Sequence, residues 1–133
     1  MLRRNSFRLP RHPASVGLAR RRVRDHLTDW GHGPDGEALA DAVLLVSELA
    51  TNVIRHGPFR EREFEVAVTA LADGSALIEV SDEGRPEPRL RVVGESAEAG
   101  RGLHLVENVS AAWGVWSRGR HGKTVWVLVQ TTP

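Results

Sequence analysis

The 133-residue chain contains no cysteine, which removes disulfide frameworks, thiolate nucleophiles and cysteine-held metals together. Any metal must therefore sit on oxygen or imidazole ligands. Long apolar runs are missing too: Ala42 to Val46 and Val125 to Val129 are the longest, far short of the ~20 residues that span a bilayer. No apolar segment follows Arg3 and Arg4, so the N-terminus does not read as a secretion signal. The expectation is a soluble, cytoplasmic protein with no membrane partner. Lysine is almost absent, Lys123 being the only one, and the Gly-Lys-Thr that holds it opens a strand pattern. A Walker phosphate loop, which must open a helix after a glycine-rich turn, is thereby excluded. Internal repeats and low-complexity tracts are lacking, so the chain reads as one domain, residues 1–133.

Acidic residues are absent before Asp25, whereas Arg3, Arg4, Arg8, Arg11, Arg20, Arg21, Arg22 and Arg24 all precede it, although the net charge is only +1. Such a stripe suits nucleic acid or an acidic protein surface. Aromatic residues are not interleaved with it, however, so a solvated helix face behind a flexible tail over residues 1–5 is the simpler reading.

Periodicity orders the rest. Ser6 to Leu9 suits a short strand, and Val16, Ala19, Val23, Leu27 and Trp30 follow the three-four spacing of an amphipathic helix that Gly31, Gly33 and Pro34 stop. A second helix follows, with Asp35 as N-cap and Gly57-Pro58 as terminator. The period then becomes two, in Phe64, Val66, Val68 and Ala70 and again in Ala76, Ile78 and Val80, around the hairpin signal Asp73-Gly74. From Asp82 to Gly102 no period is sustained, and loops of that length are often functional. Leu103 to Ala112 reads as a third helix, and Trp113 to Ser117 and Lys123 to Gln130 as two strands, the last apolar on both faces and so inside the sheet. The expected fold is a two-layer α+β sandwich, a mixed but mostly antiparallel sheet with about three helices on one face.

The second helix carries the densest information. At 100° per residue, Asp41, Glu48, Thr51, Asn52 and Arg55 gather opposite the apolar stripe of Ala42, Leu45, Val46, Leu49 and Val53. Glu48 and Asn52 are one turn apart and address one ligand together. Thr51, Asn52, Val53 and Ile54 are middling or poor helix formers, so burial has to hold the helix.

Three more features stand at element ends. Ser81-Asp82-Glu83-Gly84 closes a strand with an acceptor for an exocyclic amino group and a glycine that lets a flat ring approach. Gly100-Arg101-Gly102-Leu103 precedes a helix, where backbone N–H groups and the helix dipole favour phosphate. Gly122-Lys123-Thr124 opens the last strand with a hydroxyl.

In this order and spacing, the four elements resemble the nucleotide-binding boxes of the histidine-kinase-like ATPases, the GHKL or Bergerat-fold proteins. Within them the chain looks most like the small single-domain kinases of the anti-sigma factor class, from Phe7 to Val129. The resemblance implies ATP and Mg²⁺ as cofactors, with Glu48 as the general base and Asn52 as the Mg²⁺ ligand. It implies Asp82 on the adenine amino group, Gly84 beneath the ring and Thr124 beside it. Gly100, Arg101, Gly102 and Leu103 would wrap the phosphates, at the hinge of an ATP lid over residues 83–101. One departure is visible: Arg85-Pro86-Glu87-Pro88 follows Gly84 where the family often has another glycine.

The implied function is a serine/threonine protein kinase that acts as an anti-sigma factor. Its partners would be a sigma factor and an antagonist of the sulfate-transporter/anti-sigma-antagonist (STAS) type that it phosphorylates, with homodimerisation open. The alternative is a non-catalytic, nucleotide-dependent regulatory module of the same fold. A third reading, DNA binding through the N-terminal arginines, predicts a steep salt dependence.

Overall fold

In a computed structural model, residues 3–33, 36–56, 62–82, 106, 109–117 and 122–130 are described. The elements run β1 (Arg3–Pro10), α1 (Ala14–Asp29), α2 (Glu37–His56), β2 (Glu63–Ala70), β3 (Ala76–Asp82), β4 (Ala112–Ser117) and β5 (Lys123–Val129). The five strands form one sheet in the order β1-β2-β3-β5-β4, and each neighbouring pair is antiparallel. The α+β expectation holds, and the last strand is internal as its apolar faces required. Three details differ. Every pairing among the described strands is antiparallel. Two helices are described rather than about three: of the helix expected over 103–112, only Val106 and Val109 are described as helical, and Ala112 already belongs to β4. The expected tail begins its strand at Arg3, with Asn5 paired to Val68, because β1 runs along the whole of β2.

One core fills the space between the sheet and the helices. Ala19, Val23 and Leu27 of α1 and Ala42, Leu45, Val46 and Ala50 of α2 are fully enclosed, facing Phe64, Val66, Val68, Ile78, Val80 and Val127 of the sheet. Each fully buried large side chain contributes about 1.5–3 kcal/mol, enough to offset the poor helix propensity of the Thr51 to Ile54 stretch.

The ends of α1 show why it starts and stops. The Ser15 hydroxyl donates to the Pro10 carbonyl at 2.6 Å, and the Ala14 N–H donates to His12 Nδ1 at 3.1 Å, so the helix is tied to the end of β1. At the other end Gly31 turns left-handed at φ 104°. Its N–H bonds the Thr28 carbonyl at 3.1 Å and the His32 N–H bonds the Leu27 carbonyl at 2.9 Å, a Schellman closure that satisfies two orphan carbonyls. The Asp73-Gly74 signal does make the β2–β3 turn: Asp73 Oδ1 accepts the Ser75 N–H at 2.8 Å, and that bond holds the Asp73 carboxyl below its ordinary range.

The C-terminal turn of α2 is held differently. Arg11, just past β1, donates from Nε to the Val53 carbonyl at 3.3 Å and from an Nη to the Ile54 carbonyl at 3.1 Å. These are two of the last carbonyls of α2, which lack intrahelical partners, and a cation there also meets the negative end of the dipole. The expected cap Asp35 and the expected terminator Gly57-Pro58 lie outside the described residues.

Replacing Arg11 by Ala should destabilise the protein by about 1–2 kcal/mol, the scale of charge-assisted hydrogen bonds at a half-buried helix end. Urea unfolding of the two proteins checks it. An unchanged midpoint would show that the cap carries no weight.

Candidate functional site

Strand direction places the parts. The C-terminal end of β1, the start of β2, the end of β3 and the start of β5 all lie at one end of the sheet, because each pairing is antiparallel. Arg11 extends from that end of β1 and grips the last turns of α2. The C-terminal half of α2, with Glu48 and Asn52, therefore lies over the sheet end where β3 finishes at Asp82 and β5 begins at Lys123. A shallow cleft lined by Trp30, His32, Glu37, Leu39 and Gly74 lies at the opposite end, beside the β2–β3 turn.

On α2 the buried arc includes Leu45, Leu49 and Val53. Asp41, Glu48 and Asn52 fall within about 40° of one another along its edge at 100° per residue, each half-buried. Thr51, grouped with them by sequence, is turned to the helix itself: its hydroxyl donates to the Ser47 carbonyl at 2.7 Å. Arg55 is exposed. The side chains of Glu48 and Asn52 make no hydrogen bond or ion pair among the described residues. Asp41 titrates high, first because burial disfavours its carboxylate and then because Glu37, one turn earlier, adds like charge.

Asp82 is 4% exposed at the end of β3. Across the ladder it opposes Lys123, while Ser81 opposes Thr124. Directly opposed residues share a face of the sheet. Val80 and Val125, two residues before Asp82 and two after Lys123, are opposed on the helix side, so Asp82 and Lys123 face α2. Thr124 does not. Its hydroxyl lies 2.7 Å from that of Ser81, in a buried bond on the other face. The register thus sets the Thr124 side chain on the face opposite Asp82, because one residue along a strand reverses the face. Lys123 is the residue at this end of β5 that shares the Asp82 face.

Gly84, Gly100, Arg101, Gly102 and Leu103, and the lid expected over 83–101, lie outside the described residues. The described residues on either side of that stretch, Asp82 and Val106, are both buried, Val106 completely. Among the described residues no three His, Asp or Glu side chains come together as a metal site. A cation at Asn52 would thus take most of its ligands from a phosphate and water, the habit of Mg²⁺ rather than of a protein-caged metal.

Comparisons with known proteins bear on the family and the fold. Residues 9–129 match the family model of the histidine kinase-like ATPase domain. Among solved structures, the RsbU and RsbW domains of Rv1364c from Mycobacterium tuberculosis superpose with a TM-score of 0.73 at 20% identity, over 98% of this chain and 33% of that one. The SiaB-SiaC complex from Pseudomonas aeruginosa gives 0.64 at 15% identity, over 94% of this chain and 88% of that one. The histidine kinase domain of the blue-light activated kinase from Erythrobacter litoralis EL346 gives 0.54 at 19%, over 91% and 61%. The chain spans about a third of the first of these, and at such identities the likeness is one of fold. Comparison with curated proteins gives no match.

Thr124→Val should leave nucleotide affinity unchanged while costing about 1 kcal/mol of stability through the lost Ser81 bond; calorimetric titration beside thermal unfolding separates the two. For Asp41 the sign is set by its raised folded pKa: the folded state holds the proton more tightly, so stability falls as pH rises from the unfolded carboxylate range through the folded value. Asp41→Asn should be more stable than the parent at neutral pH, with the difference vanishing near pH 3 in unfolding titrations.

Proposed function

The chain belongs to the histidine kinase-like ATPase family, and on that footing we propose that it is an ATP-dependent serine/threonine protein kinase acting as an anti-sigma factor. The observation that carries this reading is the placement of the Glu48/Asn52 flank of α2 over the sheet end that carries Asp82. A base, a phosphate-side cation ligand and a purine acceptor are the minimum that positioned phosphoryl transfer requires.

In this reading Asp82 accepts the adenine amino group and Gly84 lies under the ring. Gly100, Arg101, Gly102 and Leu103 supply N–H donors and charge to the phosphates, whose negative charge Mg²⁺ offsets when bound. Asn52, a neutral oxygen donor, is the residue that would hold it. Glu48 accepts the proton of the serine or threonine hydroxyl while its oxygen bonds to the γ-phosphorus and the bond to the ADP oxygen breaks, so charge and atoms balance. Glu48 and Asn52 on successive turns keep the two tasks apart without moving the backbone.

The partners are proposed as a STAS-type antagonist that the protein phosphorylates and a sigma factor that the protein itself holds inactive. One structural neighbour being a two-protein complex, SiaB-SiaC, supports a protein partner. The N-terminal arginines support DNA less than composition suggested. Arg4 pairs with Glu79 at 3.6 Å and Arg8 with Glu63 and Glu65 at 3.5 and 3.9 Å. Arg11 caps α2, and Arg22 lies 4.9 Å over the Phe7 ring.

Phosphate transfer from radiolabelled ATP to candidate STAS domains tests the proposal. Glu48→Gln should lower transfer by about 10²-fold or more, the usual worth of a general base, with ATP affinity nearly intact. Asn52→Ala should abolish the Mg²⁺ dependence of binding. Wild-type ATP binding without transfer to any STAS domain would instead identify a non-catalytic regulatory module.

A further inference from the structure

The register of β3 on β5 puts a cation where the nucleotide base would meet Asp82. Asp82 and Lys123 are direct partners, and side chains so opposed have Cβ atoms about 4.5–5.5 Å apart on one face. That face is the helix side, marked by the opposed pairs Val80–Val125 and Ile78–Val127, whose members all belong to or pack on the core. The hydroxyl of Thr124 lies 2.7 Å from that of Ser81, on the other face. Lys123 is the only lysine of the chain, it is half-buried, and its side chain has no ion pair or hydrogen bond among the described residues.

We propose that Lys123 is a base-reading residue of the nucleotide site, donating from Nζ to the ring acceptor beside the group that Asp82 accepts. The proposal rests on the ATP-site reading above. Its chemistry is simple. An ionised carboxylate only accepts and an ammonium only donates, so Asp82 and Lys123 side by side present an acceptor next to a donor. The edge of adenine offers the complement, the exocyclic amino donor next to the N1 acceptor. A hydroxyl at this position would donate or accept and would impose no such order. Lys123 imposes it, and the bond to N1 is charge-assisted, which strengthens it over a neutral one. The long stem of a half-buried lysine also covers apolar surface while its head stays polar, so the ring edge and the ammonium are served by one side chain.

The test uses the full chain and two probes, Mg-ATP and Mg-1-deaza-ATP, in which N1 is replaced by CH while the amino group is kept. Wild type should bind 1-deaza-ATP about tenfold more weakly than ATP, in keeping with the loss of one charge-assisted bond. Lys123→Met should bind ATP about tenfold more weakly than wild type. It should bind both nucleotides alike, while Lys123→Arg keeps part of the discrimination. Thermal unfolding of each variant establishes that it is folded, and a direct loss of the ATP preference is a readout that a merely structural role would not move. Wild type binding both nucleotides equally, or Lys123→Met retaining the full preference, overturns the role of Lys123 while leaving the ATP site standing. Wild type binding neither nucleotide overturns the ATP-site reading, and the role of Lys123 falls with it.

Discussion

The antiparallel pairing of β3 with β5 is the constraint on which both core and site depend. Its alternate pairs, Ala76–Val129, Ile78–Val127 and Val80–Val125, form the floor on which α2 lies. Burial of those side chains fixes the register, since a slip of one residue would turn each of them to the far face. The same register carries on past the core to its end, where Asp82 and Lys123 face α2 and Ser81 and Thr124 face away. The chemistry at the strand ends is thus dictated by packing a few residues earlier.

The helix layer answers to that floor. Leu45, Leu49 and Val53 seat α2 on the sheet, and the edge of the same stripe leaves Asp41, Glu48 and Asn52 half in contact with solvent. Two effects oppose the helix at its end: poor propensity across Thr51 to Ile54 and carbonyls without partners. Burial offsets the first, and Arg11 the second. An arginine from the stretch before α1 thus ties the C-terminal half of α2 to the sheet end that carries Asp82.

The far face of the sheet shows how closely the strands are matched. Trp126 lies across β4 at Gly114, where a Cβ would come within 2.8 Å of the indole, and its ring meets that of Trp116 at 5.7 Å. Only a residue without a side chain lets that indole lie flat against the neighbouring strand. Across the same face Arg4 and Arg8 pair with acidic residues of β2 and β3. The basic excess of the first 24 residues is therefore partly internal, which composition alone had no means of showing.

Local periodicity determined most of what the sequence determined. The three-four spacing of Val16 to Trp30, the alternation from Phe64 to Val80 and the Asp73-Gly74 turn marked both helices and the central hairpin, because amphipathic period is set by the backbone itself. It also put Glu48 and Asn52 on one helical edge, since residues one turn apart share a face in any helix. What sequence had no access to was register, which depends on contacts between residues some 40 positions apart. Asp82 and Lys123 face each other, and Thr124 turns away, only because distant valines must be buried together. The grip of Arg11 on α2 is equally non-local, joining residues 42 and 43 positions apart, and in sequence it was one arginine among eight.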